Sequence, residues 1–188
     1  MHRTLAAVLV VLAVAVGSAC SSDGRPLPPA SAAPPQSAEV DWAERAPEDG
    51  TGFVFRVRRF AVTEEGWQAD VEIENRTSIA WHTGTSLAVG QSFGLMLFTT
   101  GDLDELERRN RDRDLPGLRP AQRFQPPFPD RFAPGRTWRS TISAAGTLAA
   151  GRHVRIVLGP LVAEGKVPPG LTNVLVWITD HAYELRRR

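Results

Sequence analysis

Trp67, Ala69, Val71 and Ile73 alternate with Gln68, Asp70, Glu72 and Glu74. Successive Cβ atoms of an extended chain point to opposite faces, so this period of two makes one face apolar and the other acidic. A half-buried antiparallel strand satisfies that pattern, whereas a helix would scatter the apolar residues around its circumference. The preceding stretch repeats it, with Phe53, Phe55 and Val57 alternating with Val54, Arg56 and Arg58. The doubled Arg58-Arg59 shifts the phase, so that Phe60 and Val62 continue the apolar set, which predicts a β-bulge. Thr63 to Gly66 is the joining turn.

Further strands follow. Phe93, Leu95 and Leu97 share a face, and Trp138, Ser140 and Ile142 alternate with Arg139, Thr141 and Ser143. In HVRIVL the inward set is Val154, Ile156 and Leu158, with His153 and Arg155 outward. NVLVWIT is apolar on both faces, which predicts a central strand covered on both sides. Gly159-Pro160 and Pro168-Pro169-Gly170 punctuate the gaps. TTGDLDELERRNRDRDLPG is the single helix candidate, with Asp102 and Glu105 in capping-box spacing and Pro116-Gly117 as its stop. The expected fold is all-β, an immunoglobulin-like antiparallel β-sandwich of about seven strands with one short inserted helix.

The start of the chain follows a different logic. His2 and Arg3 precede an uncharged apolar run from Leu5 to Val16, too short to span a bilayer as a helix and followed by small residues. This reads as a secretory signal peptide over residues 1–19. Cys20, the one cysteine, follows Gly17-Ser18-Ala19 and resembles the lipobox of bacterial lipoproteins, in which the thiol is diacylated and becomes the mature N-terminus. An exported protein with one unpaired thiol asks for such a reason. Two acyl chains hold a protein on a membrane where one does not. The same triplet also fits ordinary secretory cleavage, which leaves a secreted domain. The expected location is the extracytoplasmic face of the cell membrane, with the lipid as the membrane contact. Residues 20–49, rich in Ser, Ala and Pro, read as a disordered linker, and residues 50–188 as the sandwich domain.

The formal net charge of +1 gives no reason to expect nucleic acid, and the extracytoplasmic placement removes that partner. VEIENRTSIAW, followed much later by FAPGRTWRSTIS, resembles the immunoglobulin-like domains of unknown function carried by many Gram-positive lipoproteins. Those domains are similar in build to a secreted mycobacterial immunogenic antigen. The likeness rests on Val71 to Asn75, Arg76 to Ser78, and Pro134-Gly135 ahead of Trp138 to Ile142. It implies a sandwich and no catalytic residues.

No catalytic constellation is apparent. His82, His153 and His181 lack zinc-ligand spacing, no Gly-x-Ser-x-Gly elbow or glycine-rich phosphate loop is present, and no metal or cofactor is expected. Asn75-Arg76-Thr77 reads as a turn. Asp70, Glu72 and Glu74 share one strand face, which suits a solvated surface or a cleft. In LRPAQRFQPPFPDRFAPGRTWR, arginines (Arg119, Arg123, Arg131, Arg136, Arg139) interleave with Phe124, Phe128, Phe132 and Trp138, the composition of binding hot spots. The predicted partner-binding residues are Arg119, Arg123, Phe124, Phe128, Arg131 and Phe132. The alternative is that the rings plug the sandwich edge while the arginines stay wet. Two functions follow: an interaction module for another envelope protein, or a binder of a small ligand or glycan. A hydrolase is the remote third.

Overall fold

The structure, a computed structural model, describes residues 31–83 and 93–187. Cys20, the predicted signal segment and the first part of the predicted linker lie outside these residues. One sheet has the order β1 (Gln36–Ala46), β2 (Phe53–Val62), β3 (Gly66–Asn75), β8 (Thr137–Ala145), β7 (Arg123–Gln125). The other has the order β10 (Val174–Ile178), β9 (His153–Glu164), β5 (Gly94–Phe98), β6 (Arg119–Pro120), with β4 (Ala80–His82) and β11 (Tyr183–Glu184) also paired to β9. Every pairing is antiparallel. The chain is an all-β, immunoglobulin-like sandwich, and β1, β2, β3, β5, β8, β9 and β10 are the strands of five residues or more among the described residues.

The alternating residues meet between the sheets. Phe53, Phe55, Val57, Trp67, Ala69, Val71, Ile73 and Ile142 of the first sheet share one buried cluster with Leu95, Val154, Ile156, Leu158 and Leu161 of the second. Each fully buried large apolar side chain contributes about 1.5–3 kcal/mol. The register of β2 on β3 shifts between Val57 and Arg59, so the predicted bulge is present and returns Phe60 to the core. Thr63 closes the turn by donating its N–H to Gly66 O at 2.8 Å. Asn75 also turns the chain: its Oδ1 accepts the Thr77 N–H at 2.9 Å.

Four sequence expectations need correction. The domain does not begin at residue 50. The Ala33 N–H is bonded to Leu148 O at 2.8 Å, and β1 pairs with β2 from Gln36 opposite Val62 to Ala46 opposite Phe53. The disordered-linker reading therefore fails over residues 31–49. Hydrogen bonding along β2, and the inward packing of Val40, Trp42 and Ala46, offset the cost of ordering this stretch. A bulge between Glu39 and Trp42, with Asp41 at φ +44°, interrupts the free edge of β1.

Arg155 is not outward in the solvated sense: it is 0% exposed. Its Nη1 donates to the carbonyls of Thr179 (2.8 Å) and Asp180, and its Nη2 to those of Gly101 and Asp102, each at 2.9 Å. The guanidinium also stands 5.4 Å from the centroid of the Phe98 ring. The loop before the helix and the turn after β10 thus close over the outer face of β9. Burial pulls the arginine's pKa below its ordinary value, against the opposing fields of Asp180 and Glu44. Nor does Gly159-Pro160 end the strand, since β9 runs through it to Glu164 with a register shift opposite β10.

β10 is not central. It lies at the end of its sheet, paired to β9 alone, with Val174 52% and Val176 49% exposed. Trp177, on its other face, stacks on Phe55 at 5.2 Å.

The helix α1 (Leu103–Asp112) forms, but Asp102 makes no side-chain cap. Glu105 instead accepts from the backbone and hydroxyl groups of both Thr99 and Thr100. The helix ends at the left-handed Arg113, before Pro116, with the Asp114 N–H bonded to Arg109 O at 2.9 Å.

Candidate functional site

The segment from Leu118 to Arg139 crosses between the two sheets. β6 bonds to β5 and β7 to β8, and between them the buried Ala121 donates its N–H to Phe93 O at 2.7 Å. Proline has no N–H for a ladder, so pairing of β7 stops before Pro126. The prolines are held by side chains of β8 instead. Ser140 Oγ donates to Pro126 O at 2.8 Å, and Trp138 Nε1 to Pro127 O at 3.0 Å. Farther on, Phe132 exchanges backbone hydrogen bonds with Trp81, at 2.7 and 3.1 Å, and its carbonyl also accepts from Asn75 Nδ2 at 3.0 Å.

These ties decide where the rings go. Phe132 is 1% exposed, and Phe124 and Phe128 are half-buried against the core. Phe128 lies 4.8 Å from Trp138 and 5.3 Å from both Phe93 and Phe132, while Phe124 meets Phe93 at 5.7 Å. The predicted Phe patch is therefore corrected: the three phenylalanines plug the sandwich. Tilted and edge-on ring contacts favour that arrangement, beyond the area they bury. Arg119, Arg123 and Arg131 stay exposed. Arg119 donates to Thr147 O at 3.0 Å, and Arg131 Nε to Glu164 Oε2 at 2.8 Å. Arg123 has no side-chain partner among the described residues.

Among the described residues, three depressions include predicted binding residues of the segment. One of about 500 Å³ is lined by Pro127, Pro129, Arg131, Phe132, Arg136 and Trp138, together with Ala133 and Thr137. Its lining includes no carboxylate, and the Arg136 guanidinium has no partner among the described residues. The sequence shows the interleaving of Arg136 and Trp138 with the phenylalanines, but not that the prolines and rings wall a hollow. The second, about 450 Å³, lies at the turn between β2 and β3 and is bordered by Glu64, Gln68, Gln122, Arg123 and Ser143. Gln68, Ser143 and Arg123 are register neighbours across β3, β8 and β7. The third, about 210 Å³, takes in Trp67 and Arg119.

The acidic face of β3 is neutralised by arginines. Glu72 is bound by Arg56 at 2.5 Å and Arg139 at 2.7 Å, with Arg58 at 3.7 Å, and Glu74 is bound by Arg76 at 2.8 Å. Burial pushes the Glu72 carboxyl up. The Arg139 hydrogen bond and the three guanidinium charges more than reverse this, leaving it below the usual carboxylate range. Asp70 accepts from Thr141 Oγ1 at 2.6 Å.

The histidines are dispersed. His181 Nδ1 lies 2.8 Å from Glu44 Oε1, its ring stacked on Trp42 at 5.8 Å, and the buried His153 Nδ1 has no partner. Among the described residues no group of three or more His, Cys, Asp or Glu side chains could hold a metal ion. No helix of these residues is long and apolar enough to cross a membrane. No family model, curated protein or solved structure matches the chain.

Proposed function

We propose that the chain is a lipoprotein anchored through Cys20 to the extracytoplasmic face of a bacterial membrane, and that its sandwich is a non-catalytic interaction module for another envelope protein. The placement is supported by the basic start, the short apolar run and the lone cysteine behind small residues. The observation that carries the binding role is the hollow lined by Pro127, Pro129 and Trp138, where the Arg136 guanidinium has no partner among the described residues. Arginine is enriched where binding energy concentrates, and proline beside it loses little freedom on docking. The family resemblance, to immunoglobulin-like domains of Gram-positive lipoproteins, fits this role.

The test has two parts. Mass spectrometry of the native polypeptide is expected to find residue 20 as the acylated N-terminus; an unmodified Cys20 would make this a secreted domain. A photo-crosslinker at position 129 in intact envelopes is expected to give a discrete protein adduct, and one at position 108, on α1, none. No adduct at 129 would remove the interaction role.

A second reading, a small-ligand or glycan binder, is favoured by the depression beside Arg123. There the Arg123 guanidinium, without a partner among the described residues, and the side chains of Gln68, Gln122 and Ser143 border one cleft with Glu64. A screen of envelope sugars against the R123A variant separates the two.

A further inference from the structure

The hollow walled by Pro127, Pro129, Phe132 and Trp138 has a chemistry that selects among partners. Two of the residues that line it have their polar groups already engaged. Trp138 Nε1 is bonded to Pro127 O, and both backbone groups of Phe132 are engaged with Trp81. What rests there gains no hydrogen bond from those groups, and the adjoining prolines offer no N–H either, which favours an apolar contact. Prolines and locked rings also lose little freedom when a ligand settles on them. A volume of about 500 Å³ lies within the range of sites that take a side chain or a small molecule.

The rim adds a sign. Arg131 and Arg136 line the hollow and no carboxylate does. Glu164 occupies Arg131 Nε at 2.8 Å, while Arg136 is exposed and has no partner among the described residues. A planar guanidinium with free N–H groups matches a carboxylate in two parallel hydrogen bonds. Two arginines round a concavity differ from the spread of four to eight basic residues that holds a protein on anionic lipid.

We propose that this hollow binds a protein segment through a carboxylate beside an apolar side chain, the apolar group lying against Pro127 and Pro129 and the carboxylate on Arg136. The inference rests on the interaction role proposed above and names the chemistry of the partner's contact.

N-acetylphenylalanine and its amide, titrated calorimetrically into the full chain in detergent micelles, test it directly. The acid is expected to bind saturably, and the amide about tenfold more weakly or worse, the scale of one charge-assisted pair. R136Q is expected to erase that preference, R136K to restore part of it, and R108Q, on the exposed face of α1, to leave it unchanged. Circular dichroism of each variant checks the fold. Equal binding of acid and amide, or an unaffected R136Q, overturns the proposal, as does Arg136-dependent binding to phosphatidylglycerol vesicles without acid preference. An adduct from position 129 that survives R136Q removes the carboxylate contact while leaving the interaction role. Acid-selective binding without any adduct removes the interaction role and keeps the pocket chemistry.

Discussion

The Glu44 carboxylate accepts the indole N–H of Trp177 at 2.6 Å, joining β1 of one sheet to β10 of the other across 133 positions of sequence. The same carboxylate takes the backbone N–H groups of Asp180 at 2.9 Å and His181 at 3.3 Å. Glu44 itself is 8% exposed, and its donors are only part-buried. E44A is expected to destabilise the domain by about 1–3 kcal/mol, since three part-buried donors lose one charged acceptor together. Urea unfolding followed by tryptophan fluorescence measures it. A chain begun at residue 50 lacks β1 and is expected not to fold, whereas one begun at residue 31 folds.

Arg155 fastens two loops at once. R155M fills similar space but abandons four carbonyls, and a loss of about 3 kcal/mol or more is expected. R155K keeps the charge without the fork that reaches both loops, so it should rescue little. Amide hydrogen exchange at residues 99–102 and 179–181 should quicken together in both variants. Exchange confined to one loop contradicts the shared clasp.

Glu105 sets an acid limit. Burial raises its pKa, but hydrogen bonds from Thr99 and Thr100 outweigh that and hold it at about 2, against an ordinary 4.5. A carboxylate whose folded pKa is depressed stabilises the fold above the unfolded value, and that contribution is lost as pH falls through the folded one. The window is therefore from about 4.5 down to about 2. E105Q is expected to be less stable than the native chain at pH 7 by about 1–3 kcal/mol, with the gap closing toward pH 2. Thermal melts at stepped pH follow it.

The ring cluster and the arginines should separate cleanly. F132A is expected to cost about 3–5 kcal/mol, and F128A less because its ring is only half-buried. R119A and R123A should fall within about 0.5 kcal/mol of the native chain. If F132A were as stable as R123A, the inward packing would be wrong.

How far the sequence was readable depended on whether polarity told the two faces apart. In β3 it did, because from Trp67 to Glu74 every inward residue is apolar and every outward one polar, and the bulge at Arg58 showed as a break in phase. In β1 the inward set is Val40, Trp42, Glu44 and Ala46, and the buried carboxylate broke the pattern beside a proline-rich stretch. Arg155 misled in the same way: its charge implied solvent, while its partners are carbonyls from loops far along the chain. β10 misled in reverse, because its two apolar faces suggest a covered strand, yet Val174 and Val176 face outward at an edge. For the candidate site, composition marked the segment but could not orient it. Its prolines destroy the period of two, and hydrogen bonds from Trp138, Ser140 and Trp81 do the orienting.

The early start of β1 changes how such a domain bears load. If Cys20 is the anchor, the ten residues 21–30 separate it from Ser31, and they reach at most about 35 Å. The sandwich would then ride close to the bilayer on a short leash. Tension on that leash meets the bonds of Ser31 and Ala33 to Ala150 and Leu148 first, and only then β1 with its nine register pairs on β2.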